Sequence, residues 1–283
     1  MVLGAIASVQ TGSAVARTLF DDLGAAGVTL LRLGLSAALL LVVLRPRVRT
    51  WSPLQWQAAA LLGAAMAGMN LVFYLSLRTV PLGVAVTVEF VGPLLLALAQ
   101  TRRTLDLLWA LLAAGGVVLL GVGGTSEIPL SGLALALLAG LFWAGYILAS
   151  ARVGAVLPGL DGLAVALAVA AALVLPFGLS GASAVLERPT LLIAAFGVAL
   201  LSSVLSYGLE LVALRRMPTR VFGILMSLEP AAAALAGLVI LSQALGAREL
   251  LALLLVSFAS VGVTLGRRGS GRRAGDPPVQ PLE

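Results

Sequence analysis

The sequence has no cysteine and no histidine, and its 18 basic residues are all arginine. Without cysteine there are no disulfides and no thiolate metal sites. Without histidine the commonest metal ligand is missing, so no metal site and no cofactor is expected, and a proton-carrying side chain has to be a carboxylate. Charge is scarce as well: 11% of the 283 residues are charged, 60% are hydrophobic, and only 5% are aromatic. Soluble domains are roughly 45–50% apolar and about 25% charged. A soluble fold of this length would need a larger polar coat, whereas lipid tolerates an apolar outer surface. A net charge of +6 would also fit a nucleic-acid binder. The arginines, however, sit in short stretches between apolar runs, where they set membrane topology.

Ten apolar runs are present, at 2–20, 24–44, 54–77, 82–101, 105–124, 128–150, 160–180, 190–213, 219–242 and 247–266. Each is near the roughly 20 residues that cross the hydrocarbon core as a helix. The first run lacks a basic leader and contains Gln10, Thr11 and Ser13, so it is expected to be a spanning helix rather than a cleaved signal. Residues 267–283, rich in Gly, Pro and Arg, are expected to form a disordered cytoplasmic tail. With the N-terminus assigned to the cytoplasm, thirteen arginines fall on that side (45, 47, 49, 102, 103, 152, 215, 216, 220, 267, 268, 272, 273) and four outside (17, 78, 188, 248). That bias predicts both termini inside, which requires an even number of spans.

The chain also repeats itself. Residues 73–94, FYLSLRTVPLGVAVTVEFVGPL, align without gaps to 210–231, ELVALRRMPTRVFGILMSLEPA. Leu77 meets Leu214, Arg78 meets Arg215, Pro81 meets Pro218 and Pro93 meets Pro230. Five spans per half place the halves in opposite orientations, the inverted repeat common among secondary transporters. The expected fold is therefore an all-α integral membrane protein of ten transmembrane helices, in two inverted five-helix repeats at 1–125 and 126–266.

Polar groups inside spans narrow the function. A mid-membrane carboxylate costs about 3 kcal/mol on insertion scales, so it usually faces a cavity and has a task. Glu89 and Glu229 lie mid-span, and the repeat sets Glu229 opposite Gly92, one turn from Glu89. Both are expected to face one central cavity. Pro93 and Pro230 follow them, and a helix broken beside an acid suits an ammonium group; for the prolines alone a packing kink is the expected reading. Glu210 shares a face with Tyr207, which the repeat matches to Asn70, one turn from Tyr74. Asn70 and Tyr74 can bond a substrate, and Asn70 can equally bond a neighbouring helix. Gln10 is a candidate cavity residue, while Trp143 and Tyr146 read as packing. Arg32, about eight residues into the second run, either pairs with a carboxylate or faces water and takes a substrate carboxylate; the ion pair is the expected arrangement. Acids with an arginine suit a small zwitterion such as an amino acid.

The stretches ASVQTGSAVARTLF (7–20), GVTLLRLGLSAALLL (27–41), GMNLVFYLSLRTVPLGVAVTVEFVGPLLLAL (68–98), GLFWAGYILAS (140–150) and YGLELVALRRMPTRVFGILMSLEPAAAALAG (207–237) resemble the EamA-type drug/metabolite transporters. Within them, the likeness is to the threonine/homoserine exporter group. It covers roughly 1–266, and the group's intramembrane glutamates fall on Glu89, Glu210 and Glu229. The resemblance implies ten helices in two inverted repeats in the bacterial inner membrane, and proton-coupled export of small amino acids from the cytoplasm. The partners are then an amino acid, protons and the lipid bilayer; the spacing of Gly262 and Gly266 adds a helix-packing motif that would serve a homodimer.

Two rival readings remain. A drug or hydrophobic-cation exporter on the same fold predicts an aromatic-lined cavity, which an aromatic content of 5% disfavours. An intramembrane enzyme needs a nucleophile with a base, a metal cage or paired aspartates. No such set is visible, because Asp21, Asp22, Asp106, Asp161 and Asp276 all fall at span ends, in loops or in the tail.

Overall fold

The computed structural model describes residues 1–100, 104–121, 128–216 and 219–266. Arg102, Arg103, Pro218 and the 267–283 tail lie outside the described residues. Among those described, every regular element is helical. Helices α1 (Val2–Thr18), α2 (Phe20–Leu44) and α3 (Pro53–Ser76) come first, then the short α4 (Leu82–Glu89) and α5 (Val91–Ala99), then α6 (Thr104–Gly121). The second half holds α7 (Leu130–Val156), α8 (Asp161–Ala182), α9 (Thr190–Ala199), α10 (Ser206–Arg216), α11 (Thr219–Met226), α12 (Glu229–Leu241) and α13 (Ala247–Gly266).

Local chemistry sets several boundaries. Ser52 accepts from the Gln55 backbone amide, the Gln55 side chain answers to Ser52, and Pro53 opens the first turn of α3. This reciprocal cap satisfies two otherwise orphan donors. Gly24 kinks α2 at φ +66°, a conformation open to glycine at little cost. Between α9 and α10, residues Leu200–Leu205 form a widened π turn, so the two helices continue as one span.

Eight helical stretches are long and apolar enough to cross a membrane, among them Leu82–Ala99 (α4 with α5), Thr190–Glu210 and Val221–Leu241. Two expected spans are shorter: α1 has 17 residues, and the apolar part of α6 is Leu107–Leu120. The outward faces carry large apolar side chains, with Ile193 and Val239 more than two-thirds exposed, as lipid contact allows and water would penalise.

The 137-residue spacing of the sequence repeat extends well beyond its original window. Helices α4 and α11 are both eight residues long, and their ends lie 137 positions apart. Each is followed by a break, at Phe90 in one case and at Ser227 and Leu228 in the other. Glu89 closes α4 and Glu229 opens α12, so the two acids flank equivalent breaks from opposite sides. Pro93 and Pro230 sit in the first turns after the breaks, where a missing backbone N–H costs nothing.

Packing follows the same correspondence. Helix α2 lies against its counterpart α8, α6 lies against α13, and α1 meets α12 as α7 meets α5. Glycine brings backbones together at these crossings. A Cβ on Gly181 would meet the Leu23 carbonyl, one on Gly178 the Ala26 carbonyl, and one on Gly92 the Gly140 carbonyl. Small residues are what helix pairs in lipid use to gain packing area. Gly262 is spent in this way inside the chain, because a Cβ there would meet the Trp109 ring of α6. It is therefore not a free face for a second copy.

Candidate functional site

A cavity of about 500 Å³ runs into the bundle between the two halves. That volume lies within the roughly 300–1,000 Å³ of small-molecule sites. Gln10, Arg32, Asn70, Glu89, Tyr207, Glu210 and Glu229 all line it. Tyr74 does not line it but stands immediately behind Arg32. The eight residues singled out from the sequence therefore gather at one place, although they come from six helices.

The 137-residue spacing recurs along the cavity wall. Eight pairs of lining residues stand 137 positions apart: Val9 with Tyr146, Gln10 with Ile147, Ser13 with Ser150, Met69 with Ser206, Asn70 with Tyr207, Phe73 with Glu210, Val86 with Gly223, and Glu89 with Met226. Equivalent backbone positions thus carry different side chains on the two walls. The polarity of the site is asymmetric for that reason.

Arg32 is the cation of the site, and its anchoring differs from the sequence expectation. It was expected in an ion pair. Its guanidinium instead donates to the Tyr74 hydroxyl (3.0 Å), the Ser202 carbonyl (3.0 Å) and Ser203 Oγ (3.3 Å), and it lies 5.4 Å over the Tyr74 ring centroid. A salt bridge joins Arg188 and Asp22 at an exposed edge. Helix α2 begins at Phe20, so Arg32 lies deeper than the sequence boundary implied. The widened turn supplies its partners, since a π turn releases carbonyls from the regular ladder. Ser8 takes the Leu201 carbonyl at 2.7 Å, and Arg32 takes that of Ser202. Three of the five guanidinium donors are accounted for by these bonds, which fix the group at the cavity wall.

The acids are placed differently from one another. Glu229 is 4% exposed, and its Oε2 has no hydrogen-bond partner among the described residues. Glu89 is similarly buried, whereas Glu210 is half-buried. Gln10 Oε1 and Ser202 Oγ are further buried oxygens at the cavity without a partner among the described residues. Asn70 Nδ2 donates to the Met66 carbonyl of its own helix at 2.8 Å, so this amide group is held in place while its side chain lines the cavity.

Sequence reasoning missed part of the lining. Trp143 and Tyr146, read as packing residues, face the cavity. Trp143 stands edge-on to Phe90 at 5.5 Å, and the Tyr146 ring lies 6.3 Å from that of Tyr207. Six of the chain's fifteen aromatic residues line this one space. A low aromatic total therefore said nothing about the cavity. Ser13 and Ser150 were also missed. Extending the 137-residue spacing from its 22-residue window to the whole chain would have paired them.

One end of the cavity is closed. Phe20, Tyr74, Leu77, Val80 and Leu82 are buried together at the α1–α2 and α3–α4 turns. Arg17 Nε donates to the Leu77 carbonyl at 2.8 Å, and its guanidinium lies 5.1 Å over the Phe20 ring. The lining residues Gln100, Ser150, Glu210 and Thr264 fall in the C-terminal parts of their spans, which chain direction sets toward the opposite end of the bundle.

Comparison with known proteins agrees with this architecture. The model of the EamA-like transporter family matches residues 130–265. The threonine/homoserine exporter RhtA of Escherichia coli (strain K12) is 43% identical over 267 residues, covering 94% of this chain and 90% of the relative. RhtA of Salmonella typhimurium (strain LT2) matches equally. A solved crystal structure, 21% identical, superposes with a TM-score of 0.54 over 93% of this chain and 97% of that one, which indicates a shared fold.

Proposed function

The chain belongs to the EamA-like transporter family, and from that membership we propose that it exports threonine, homoserine or closely related small amino acids across the bacterial inner membrane. The observation that carries the reading is a cavity lined both by an anchored guanidinium and by buried carboxylates. An amino acid presents the complement. Its carboxylate suits Arg32, whose fork geometry matches two oxygens. Its ammonium suits Glu229 and Glu89.

The architecture in this reading is ten spans, with α1 and α6 completing the eight longer ones. They form two inverted repeats, 1–125 and 126–266, and both termini are cytoplasmic. The 137-residue correspondence of helices and cavity walls supports the repeat, and the arginine distribution supports the topology. The cavity then faces the cytoplasm, and the cluster around Phe20, Tyr74 and Leu77 closes the outer side. Export proceeds by alternating access, the halves rocking about the midplane site. Glu89 and Glu229 exchange a proton for the substrate ammonium. Proton entry and amino-acid exit are thereby coupled, because one carboxylate cannot hold both.

A second reading has its own support. Six aromatic side chains at the cavity suit a drug or another hydrophobic metabolite, and an aromatic face also attracts a cation. Counterflow in proteoliposomes, with labelled threonine, homoserine and a hydrophobic-cation panel, separates the two. Run with and without a pH gradient, the same assay tests coupling. Gradient-driven export retained in both Glu89→Gln and Glu229→Gln would overturn the coupling role. Transport of the cations without either amino acid would overturn the substrate.

A further inference from the structure

We infer that Gln10 reads the side-chain hydroxyl of the substrate and so sets the preference for hydroxylated over purely aliphatic amino acids. The inference deepens the amino-acid reading above and rests on it.

Gln10 is fixed in place by its neighbours on α1. Ser8 bonds the Leu201 carbonyl on one side, and a Cβ on Gly12 would meet Ser202 Oγ and, at 3.0 Å, the Ser202 backbone nitrogen. These two contacts lock α1 against the widened turn that also holds Arg32. Val9, Gln10 and Ser13 form the face of α1 turned to the cavity. Gln10 is 5% exposed, and its Oε1 has no partner among the described residues. Buried polar atoms are nearly always paired, and an amide held open at a cavity wall is a place for a ligand group.

The remaining polar groups decide which ligand group that is. A substrate carboxylate goes to the guanidinium of Arg32, the cation at the wall. A substrate ammonium goes to a carboxylate, because a charged acceptor outcompetes a neutral amide. The unpartnered Oε2 of Glu229 offers such an acceptor. What is left for Gln10 is a neutral donor and acceptor on the side chain, a hydroxyl. Either end of the amide can serve one. The position related to Gln10 by the repeat is Ile147, an apolar residue of α7 that also lines the cavity. The same space thus offers an amide for a hydroxyl and an aliphatic surface for the carbon atoms of the side chain.

A site built to bond a hydroxyl rejects the analogue that lacks one, because its own polar group is then left unpaired. Valine replaces the threonine hydroxyl by a methyl at nearly constant volume. The test is counterflow of labelled threonine in proteoliposomes, with unlabelled threonine, homoserine and valine as competitors. In the wild type, valine is expected to compete about tenfold more weakly than threonine. Gln10→Met keeps the length and removes the amide. It should weaken threonine about tenfold while leaving valine within about twofold, so that the preference collapses. Retention of the preference, or a parallel loss for both amino acids, overturns the inference. Gln10→Asn keeps a neutral amide at the same wall and should retain a several-fold preference for threonine over valine even if Gln10→Met fails to assemble as judged by size exclusion; complete loss of preference in Gln10→Asn also overturns it. A wild type that carries neither threonine nor homoserine overturns the amino-acid reading itself, and this inference with it.

Discussion

Arg32 donates to the Tyr74 hydroxyl at 3.0 Å and lies over the ring of the same residue. Tyr74 is fully buried and packs 5.6 Å from Phe20, over which Arg17 is stacked. A continuous set of contacts therefore joins the cavity cation to the closed end of the bundle. Tyr74→Phe keeps every ring contact and removes one acceptor. The expected cost is about 1–3 kcal/mol, the usual penalty for a buried donor left unpaired, read as a lowered unfolding temperature of the detergent-purified protein. Arg32→Lys is expected to be worse. A single ammonium cannot reach the hydroxyl, the Ser202 carbonyl and Ser203 Oγ in one plane, so counterflow should fall by about tenfold or more.

The glycine at the α5–α7 crossing makes a second test. A Cβ on Gly92 would fall on the Gly140 backbone, and one on Gly140 would meet the carbonyl of Glu89. Neither neighbour is a flexible side chain, so the helices must move apart. Gly92→Ala should destabilise by about 1–3 kcal/mol and displace Glu89. Both unfolding temperature and transport should drop. Gly115→Ala in α6 is the control, with nothing within 4 Å of the added atom; it is expected to be neutral or slightly stabilising.

The spans and the gathering of polar residues were legible in the sequence for plain physical reasons. Lipid demands about 20 apolar residues per crossing, and a buried Glu or Arg stands out against them. The runs 54–77, 190–213 and 247–266 fall within a few residues of the helices observed. Three features stayed hidden. The break at Phe90 has no proline or glycine at its own position, since Pro93 lies in the turn that follows. The widened turn at Leu200–Leu205 carries no extra residue, because α3 and the α9–α10 span align without a gap. The partners of Arg32 are a hydroxyl, a tyrosine and a carbonyl, and a search for charge in the sequence finds only carboxylates. The lining aromatics were missed for a related reason: a composition counts residues but does not say where they converge.

The absence of cysteine gives single-cysteine labelling a clean background and makes the access model testable. Ser150 lines the cavity, and Thr18 is exposed at the turn between α1 and α2. In the topology proposed above, Ser150→Cys should react with an impermeant maleimide from the cytoplasmic side, in inside-out vesicles, and saturating threonine should protect it. Thr18→Cys should react from the outer side and show no protection. Reaction of Ser150→Cys from the outer face alone would reverse the assigned orientation.

The three cavity acids should differ in the effect of neutralisation, because their surroundings differ. Glu229 opens α12 with Oε2 unpartnered and 4% of the residue exposed, so a substrate ammonium there gains a charge-assisted bond in a dry setting. Losing such a bond costs about 1.5–3 kcal/mol, and Glu229→Gln should raise the half-saturating threonine concentration by about tenfold or more. Glu89 closes α4 and lines the same cavity as the Arg32 guanidinium, a cation that competes with a substrate ammonium for its charge. Glu89→Gln should therefore weaken threonine less, by several-fold, while removing gradient-driven accumulation. Glu210 is half-buried in the cavity wall, more open than Glu89 and Glu229, and that exposure screens its charge. Glu210→Gln should change the half-saturating concentration by no more than about twofold. Dose–response counterflow on the three variants checks the order, and a larger effect at Glu210 than at Glu229 would move the ammonium site to the cavity mouth.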